Sequence, residues 1–493
     1  MRPLRPFAVL TLLTFLPAAA SIAATSYTVF NTADSGAQSL RAVIEAINAN
    51  NTETVFNLNF NVGSNQTILV NSNLPRIGRA NSFITIDGSL SPGLSIDGQG
   101  TSSLFYANQN ALLVVRDLTL TRGESSEGGC LRAGTDGPPM TVQRVLFSGC
   151  IAGIGSGGAI SASAQLNVTD SVFIDNRMNG MSGVASGGGA IIKTGSGNLI
   201  VEGSSFIDNA ALGDGNTSGI VLLGGAIYIA DGSLNHAIRG SWFSGNLATN
   251  PGGSGSGYGG AIHLENGGLT VERSFFRGNQ ADREGGAITA GAFVNANAQR
   301  IVQLRNSTFE RNRAGSYGGA VSVSNPGNTN GMLEVRNSLF QFNDAPDGYS
   351  LRMTDNVGTM TVSHTAFGAP GLDGSGTAAH CLGSAQSSNQ NAGLQPLQLG
   401  CGLNGVAVAN FALIGTEPTL PASFPVAYDM ALTSPLVDAG VSGAGNLADP
   451  AACLTSDARG QARPQSIQFG VTPRCDIGPV ELLGPLFSDG FED

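Results

Sequence analysis

The sequence predicts an all-β fold, a parallel β-helix with a short helix at its N-terminal end and a cap at its C-terminal end. Three observations lead to this prediction. A pattern recurs every 26 to 37 residues between Met140 and Phe367, apolar residues alternate within each copy, and paired glycines follow at a fixed point. A recurring pattern of this length indicates stacked units that bury their apolar sides against each other. No helical period of 3.6 residues competes with the alternation, so the unit is built from strands.

A phenylalanine marks each copy of the repeat, and the positions around it are regular. Apolar residues stand five and seven positions earlier, which is the two-residue period of a half-buried strand. Serine recurs two positions earlier, and asparagine, which suits tight corners and stacked side-chain ladders, recurs three positions later. The phenylalanines are Phe147, Phe173, Phe206, Phe243, Phe276, Phe309, Phe340 and Phe367, and Leu120 has this role in an irregular first copy. The asparagines are Asn176, Asn209, Asn246, Asn279, Asn312 and Asn343.

A second strand signal follows each asparagine after a loop of variable length. It reads Gly-Gly-Ala-Ile, as in Gly224-Gly225-Ala226-Ile227, and paired glycines allow a sharp bend with close backbone contact. Loop insertions at one corner of a solenoid leave the stack intact. Parallel strands that are not joined by helices require a coiled chain, and residues 76–370 are therefore assigned to the β-helix.

The N-terminal residues divide into an export signal and a cap. Residues 1–24 combine Arg2 and Arg5 with an apolar stretch and small residues, which is typical of a secretory signal peptide. Residues 25–75 are assigned to the cap, because an open β-helix exposes an unpaired strand edge. Within it we expect an amphipathic helix from Ser39 to Asn48. Ser39 or Ser35 is its possible N-cap, and the residues that cover the first coil are Leu40, Val43, Ile44 and Ile47.

The cap resembles the CSLREA-type N-terminal region of exported bacterial β-helix proteins. The resemblance rests on Asp34-Ser35-Gly36, on Ser39-Leu40-Arg41 and on the helix that follows, although Gln38 replaces the cysteine that names the motif. The Phe-x-x-Asn and Gly-Gly-Ala-Ile repeats resemble those of polymorphic outer-membrane proteins. Together with the handedness preferred for parallel crossovers, the resemblance implies a right-handed, pectin-lyase-like β-helix. It also implies that residues 371–484 close the helix and that residues 485–493 are an acidic, aromatic tail.

Composition excludes some partners. Charged residues are 12% of the chain, the net charge is −11 and Lys193 is the single lysine, so no basic face for nucleic acid or an anionic membrane is expected. Beyond the signal peptide no stretch is long enough to span a membrane. No phosphate-binding G-x-x-x-x-G-K-[ST] motif, metal knuckle or other cofactor signature occurs, and we expect no cofactor.

The six cysteines form three local pairs. An even count behind an export signal favours disulfide bonds. The predicted pairs are Cys130–Cys150, Cys381–Cys401 and Cys453–Cys475.

Two acidic residues are candidates for a catalytic or calcium site, because many β-helix proteins act on carbohydrates. Asp175 and Asp208 precede the corner asparagine in consecutive copies and are expected about 5 Å apart on the outside. A calcium ion would suit such a pair, but the next copies carry Gly245, Gly278 and Arg311 there, so no third carboxylate is available. The favoured interpretation is two solvated corner carboxylates.

The remaining polar candidates are also interpreted as structural. Charges four positions before the phenylalanine nearly alternate in sign and predict an outward salt-bridge ladder, with a catalytic Arg–Glu set as the alternative. His236 replaces an inward leucine and is expected to be buried and neutral with one hydrogen bond, while Lys193 is expected to face solvent. The ladder residues are Glu202, Arg239, Glu272, Arg305 and Arg336, and the other histidines are His263, His364 and His380.

The sequence therefore favours a non-enzymatic role and names no catalytic residue. We expect a secreted or surface-associated rod that presents loops to a protein or carbohydrate partner. The alternative is a polysaccharide lyase or glycoside hydrolase on the same fold, which requires two or three clustered carboxylates or a base beside acidic groups.

Overall fold

The computed structural model describes residues 24–107, 110–133, 139–153, 157–180, 185–215, 219–252, 256–291, 300–324, 331–353, 359–363 and 365–367, together with strands at 381–382, 413–414 and 429–430. The predicted signal peptide, most of the closing region and the tail lie outside these residues. So do the predicted pairs Cys381–Cys401 and Cys453–Cys475, of which only the backbone of Cys381 is described.

The described chain contains one helix and 43 strands. The helix is α1 (Leu40–Ala49). The strands of the first part are β1 (Thr25–Val29), β2 (Val55–Phe60), β3 (Thr67–Leu69), β4 (Phe83–Asp87), β5 (Ser95–Asp97), β6 (Phe105–Ala107), β7 (Leu112–Thr121), β8 (Glu124–Ser125), β9 (Leu131–Ala133), β10 (Met140–Ser148), β11 (Ile151–Ala152), β12 (Ile160–Ala162), β13 (Leu166–Thr169), β14 (Val172–Ile174), β15 (Arg177–Asn179), β16 (Ala185–Gly187), β17 (Ile191–Lys193), β18 (Leu199–Glu202), β19 (Ser205–Ile207), β20 (Ala210–Leu212), β21 (Val221–Leu223) and β22 (Ile227–Ile229). The remaining strands are β23 (His236–Arg239), β24 (Trp242–Ser244), β25 (Leu247–Thr249), β26 (Gly257–Tyr258), β27 (Ile262–Leu264), β28 (Gly267–Glu272), β29 (Phe275–Arg277), β30 (Gln280–Ala281), β31 (Ile288–Ala290), β32 (Arg300–Arg305), β33 (Thr308–Glu310), β34 (Arg313–Ala314), β35 (Val321–Val323), β36 (Met332–Arg336), β37 (Leu339–Gln341), β38 (Leu351–Met353), β39 (Thr359–Ser363), β40 (Ala366–Phe367), β41 (Cys381–Leu382), β42 (Leu413–Ile414) and β43 (Asp429–Met430).

These strands form a parallel β-helix, as predicted. The first sheet has 21 strands and carries the phenylalanine segments, the second has 10 strands and follows the glycine pairs, and the third has 7 strands and follows the asparagines. A fourth sheet of three strands lies between the third and second sheets along the chain. All of these sheets are parallel, whereas β42 and β43 pair antiparallel. Each coil thus passes through the first, third and second sheets in turn.

The predicted columns of side chains fill the inside of the coil. The phenylalanine rings stack with centroids 4.6 to 4.8 Å apart from Phe147 to Phe340, and 5.3 Å apart between Phe340 and Phe367. Each ring has 0% exposure. Leu120 pairs with Phe147, which confirms its place in the same column. The alternation therefore gave the correct register throughout the repeats.

A ladder of buried asparagines runs beside the phenylalanines. The Asn246 Nδ2 atom donates to the Phe206 carbonyl at 2.9 Å and to Asn279 Oδ1 at 2.8 Å. Its Oδ1 atom accepts from the backbone N–H of Asn209 at 3.1 Å and from Asn209 Nδ2 at 3.0 Å. The same arrangement repeats from Asn176 to Asn343, and each of these two end residues has an asparagine neighbour on one side only. The side chains thereby satisfy backbone groups at a corner where the strands separate.

Left-handed backbone turns the chain at the corners. The position two residues after each phenylalanine has φ between 46° and 64° in eight coils, from Arg122 to Phe342. The first glycine of each pair is left-handed too, for example Gly224 with φ of 68°. At the second glycine the coils touch, since a Cβ on Gly225 would overlap the carbonyl oxygen of Gly260. The first glycine of each pair is therefore required by its left-handed backbone, and the second is required because a side chain would collide with the next coil.

The N-terminal helix covers the first coil as expected. The Ser39 Oγ atom accepts from the Ala42 N–H, and the four residues predicted to face the coil are buried. The Arg41 guanidinium bonds Asp34 Oδ1 at 2.9 Å and the carbonyls of Ser72 and Asn73, both at 2.8 Å. Strand β1, which precedes the helix, pairs in parallel with β2 in the first sheet. The helix is thus an insertion between the first two coils.

Candidate functional site

A lysine, an aspartate and a histidine meet in the interior of the coil. Lys193 ends β17, Asp231 lies in the turn after β22, and His236 begins β23. Their side chains are 0%, 6% and 0% exposed. Lys193 pairs in register with Ala162 and Ile229, so it occupies an inward column that is otherwise apolar.

Hydrogen bonds satisfy every member of this cluster. Lys193 Nζ contacts Asp231 Oδ2 and donates toward the carbonyls of Thr194 at 2.8 Å, Gly195 at 3.1 Å and Ser196 at 3.3 Å. A backbone N–H, from Leu199, donates to His236 Nδ1 at 2.9 Å, so that nitrogen carries no proton. The His236 Nε2–H then donates to Asp231 Oδ1 at 3.0 Å.

Burial and pairing act in opposite directions on the two charged groups. Burial lowers the pKa of Lys193, and its contact with Asp231 offsets only part of this effect. Burial raises the pKa of Asp231, but hydrogen bonds from His236 and Lys193 outweigh it and hold that pKa below its usual value. In this structure the two groups form an ion pair, because four oxygen atoms surround the ammonium group.

The prediction that Lys193 faces solvent is wrong. Ile191 and Lys193 are two residues apart on one strand and therefore point the same way, into the coil. The column two residues after the isoleucine contains Ala162, Ile229 and Leu264, and aligning it would have placed Lys193 inside. His236 is buried as predicted, and it has two partners instead of one.

A second buried polar group lies on the outer side of the second sheet. His263 has 0% exposure, and its Nε2 atom is 3.3 Å from Glu265 Oε2. Tyr228 and Tyr258 flank its ring at centroid distances of 5.6 and 6.4 Å. Burial lowers the pKa of His263. Because these side chains are closed to solvent, we assign them a structural role in packing the tyrosines against the second sheet. His364 and His380 lie outside the described residues.

Asp175 and Asp208 are adjacent, exposed corner residues. The Asp175 N–H bonds the Ile207 carbonyl of the next coil at 3.1 Å, and both aspartates have left-handed backbone, with φ of 55° and 52°. Aspartate tolerates that conformation better than most residues, which accounts for its presence. Partial burial and the charge of Asp175 raise the pKa of Asp208. Within the described residues no group of three or more His, Cys, Asp or Glu is arranged to hold a metal ion.

The charged ladder exists, but it ends one member early. Arg239 bonds Glu202 at 2.9 Å and Glu272 at 3.3 Å, and Arg305 reaches Glu272 at 3.8 Å. Arg336 stacks on the like-charged Arg305 and instead pairs with Glu334 of its own strand. These arginines and glutamates are thus paired with each other on the surface of the first sheet, where each pair contributes less than about 1 kcal/mol.

The first predicted disulfide is present. Cys130 and Cys150 are bonded with their Cα atoms 5.7 Å apart. The Cys130 N–H bonds the Ala159 carbonyl, and the Cys150 N–H bonds Asn176 Oδ1. Cys130 therefore occupies an alanine position of the repeat, and Cys150 occupies an asparagine position.

We expect the Cys130→Ala/Cys150→Ala variant to lose about 3 kcal/mol of unfolding free energy, because the cross-link restricts the unfolded chain. Thermal or denaturant unfolding of wild type and variant measures the loss. The matched control is Cys130→Ala/Cys150→Asn, which matches the other coils and should recover part of the loss by extending the ladder to Asn176. Equal stability of the alanine variant and wild type would contradict the prediction.

Comparisons with protein-family models, curated proteins and solved structures find no match to this chain. Among the described residues, no helix has the length and apolar character needed to cross a membrane.

Proposed function

We propose that this protein is a secreted or surface-associated, non-enzymatic scaffold that presents a side lobe to a protein or carbohydrate partner. The observation that supports this most is that three successive coils have longer connections between the asparagine and glycine corners. These connections, residues 177–187, 210–223 and 247–258, form the side lobe. Later coils make the same connection with residues 280–284 and 313–317. Such elaborations on a regular frame are where solenoids carry their binding surfaces.

The described part of the lobe contains strands with their own apolar contacts. Strands β16, β21 and β26 stack as the fourth sheet. One side of this sheet packs against the third sheet through Met178, Ala211, Ile220 and Leu222. Its other contacts are with the outer side of the second sheet, through Leu223, Tyr258, Tyr228 and Ile192. Two apolar layers thus fix β16, β21 and β26 on the coil.

The charged residues support a scaffold over a polysaccharide-cleaving enzyme. Arg239 is paired with glutamates on both sides, and among the described residues no third carboxylate joins Asp175 and Asp208 at their corners. Lys193 and His236 are enclosed in the coil, where a sugar chain has no access. Glycoside hydrolysis needs two positioned carboxylates, one of them an acid with a raised pKa, flanking a sugar.

The binding test replaces the lobe by the short connection of a later coil. In each of the three coils the insertion is exchanged for Gln-Ala-Asp-Arg-Glu, the sequence between Asn279 and Gly285. Binding to immobilised mucin, collagen, fibronectin and a panel of polysaccharides is compared with wild type. We expect wild type to bind at least one surface and the exchange variant to lose that binding. Leu234→Ser, an exposed position outside the lobe, is the control, and circular dichroism confirms folding.

We also expect the purified protein to leave pectin-like and other acidic polysaccharides intact. The measurement is the release of unsaturated or reducing sugar ends over time. Reproducible release that disappears in Asp175→Ala or Asp208→Ala would contradict the scaffold and favour the enzyme. Binding that survives removal of the lobe would contradict only the role of the lobe and would leave the scaffold function in place.

A further inference from the structure

We infer that Lys193 and Asp231 become joined by an amide bond between their side chains after the chain folds. Lys193 Nζ is in contact with Asp231 Oδ2, and both side chains are enclosed in the coil. The two residues are 38 positions apart and belong to successive coils. The inferred site is therefore a covalent modification that fastens one coil to the next, and it is separate from the proposed binding lobe.

The environment of the carboxyl group suits attack by an amine. Asp231 Oδ1 accepts two hydrogen bonds, from His236 Nε2 at 3.0 Å and from the Ser233 N–H at 2.8 Å. Two fixed donors on one carboxyl oxygen are the arrangement that stabilises the negative charge of a tetrahedral intermediate. The amine is held at the other oxygen, where proximity alone replaces an encounter in solution. His236 thus acts directly on the reacting group.

The reaction balances within the pair. The ammonium group first gives one proton to Oδ2, which leaves a neutral amine and a carboxylic acid. The Nζ lone pair then forms a bond to Cγ, and Oδ1 carries the developing charge. A second proton passes from nitrogen to Oδ2, the Cγ–Oδ2 bond breaks and one water molecule leaves. The amide keeps one N–H, which remains near the Thr194 carbonyl, and nothing is oxidised or reduced.

The buried position of the lysine favours a covalent amide bond over a permanent ion pair. A buried ion pair is rarely more stabilising than apolar residues of similar size, because both charges lose their hydration. Neighbouring coils fill this column with Ala162, Ile229 and Leu264. An amide removes both charges from the core and also restricts the unfolded chain, as a disulfide does.

The single lysine makes the test direct. Wild type is denatured, reduced and treated with an amine-reactive label, alongside Asp231→Ala and Lys193→Met. We expect wild type to take the same number of labels as Lys193→Met and one fewer than Asp231→Ala. Labelling denatured chains keeps the comparison valid even where a variant folds poorly. Intact mass of wild type should be lower than that of the sequence by one water molecule, after allowance for disulfides.

Peptide mapping locates the bond. No other lysine or arginine lies between Arg177 and Arg239, so trypsin should release residues 178–239 as one looped peptide that lacks a water. His236→Leu, which resembles the flanking Leu199 and Leu269, should leave a larger fraction of Lys193 free to react. A wild-type chain that is cut after Lys193, keeps its full mass and takes the extra label would overturn the inference. Full cross-linking in His236→Leu would overturn the role given to His236.

Discussion

Replacing Phe243 by alanine is expected to lower the free energy of unfolding by about 3–5 kcal/mol. Phe243 has 0% exposure and stacks between Phe206 and Phe276, with both centroid distances at 4.7 Å. Removal of the ring takes away two stacking contacts and leaves a cavity in the core of the coil. Chemical denaturation followed by circular dichroism measures the change.

The matched control for this substitution is Phe30→Ala. Phe30 is 49% exposed, so the same change in chemistry should cost much less there. Interior rings are equivalent by geometry, and Phe206→Ala and Phe276→Ala should therefore show losses similar to that of Phe243→Ala. A loss at Phe243 no larger than at Phe30 would contradict the view that the ring column stabilises the coil.

The repeat made the interior of the coil predictable. Residues at one position of the pattern form one column, so a single register assignment fixes the surroundings of many side chains at once. Phe147 to Phe367, the asparagine ladder and the alanine position of Cys130 all follow from that assignment. Two residues of the cap have clear structural roles, since Ser39 caps α1 and Arg41 bonds the chain after β3.

Contacts with residues outside the repeat were not predictable in this way. The column of Lys193 predicts that its side chain points inward, but its partner Asp231 lies in a turn for which the pattern gives no position. Their contact depends on a turn geometry that only coordinates provide. The fourth sheet likewise arises from insertions that are similar in length but differ in sequence. Its strands β16, β21 and β26 pair because the coils that carry them are stacked. Where neighbouring copies differ, local chemistry decides the structure.

The asparagine ladder provides a test that separates packing from hydrogen bonding. Replacing Asn246 by alanine removes the partner of the Asn209 N–H and of the Phe206 carbonyl, both of which are buried. Each buried polar group left without a partner costs about 1–3 kcal/mol, so for two groups we expect a total loss of roughly 2–6 kcal/mol. Denaturant unfolding at neutral pH measures this loss.

Replacing Asn246 by aspartate should instead make stability depend on pH. The new carboxyl keeps an oxygen for the Asn209 N–H, but its other oxygen faces the Phe206 carbonyl and Asn279 Oδ1, which are both acceptors. The protonated form alone can donate there, so folding raises the pKa of this carboxyl above its unfolded value of about 3.9. Stability is then fullest below that pH and is lost as the pH rises toward the folded pKa.

We therefore expect Asn246→Asp to approach wild-type stability at acid pH and to resemble Asn246→Ala, or to be weaker, at pH ~7. The control is Asn51→Asp at an exposed position, which should follow the wild-type pH profile. The difference between the two aspartate variants isolates the ladder, because both add the same charge to a chain of net charge −11. Parallel pH profiles for the two would mean that the Asn246 side chain is not held between acceptors, and the ladder would then lose its role in joining the coils.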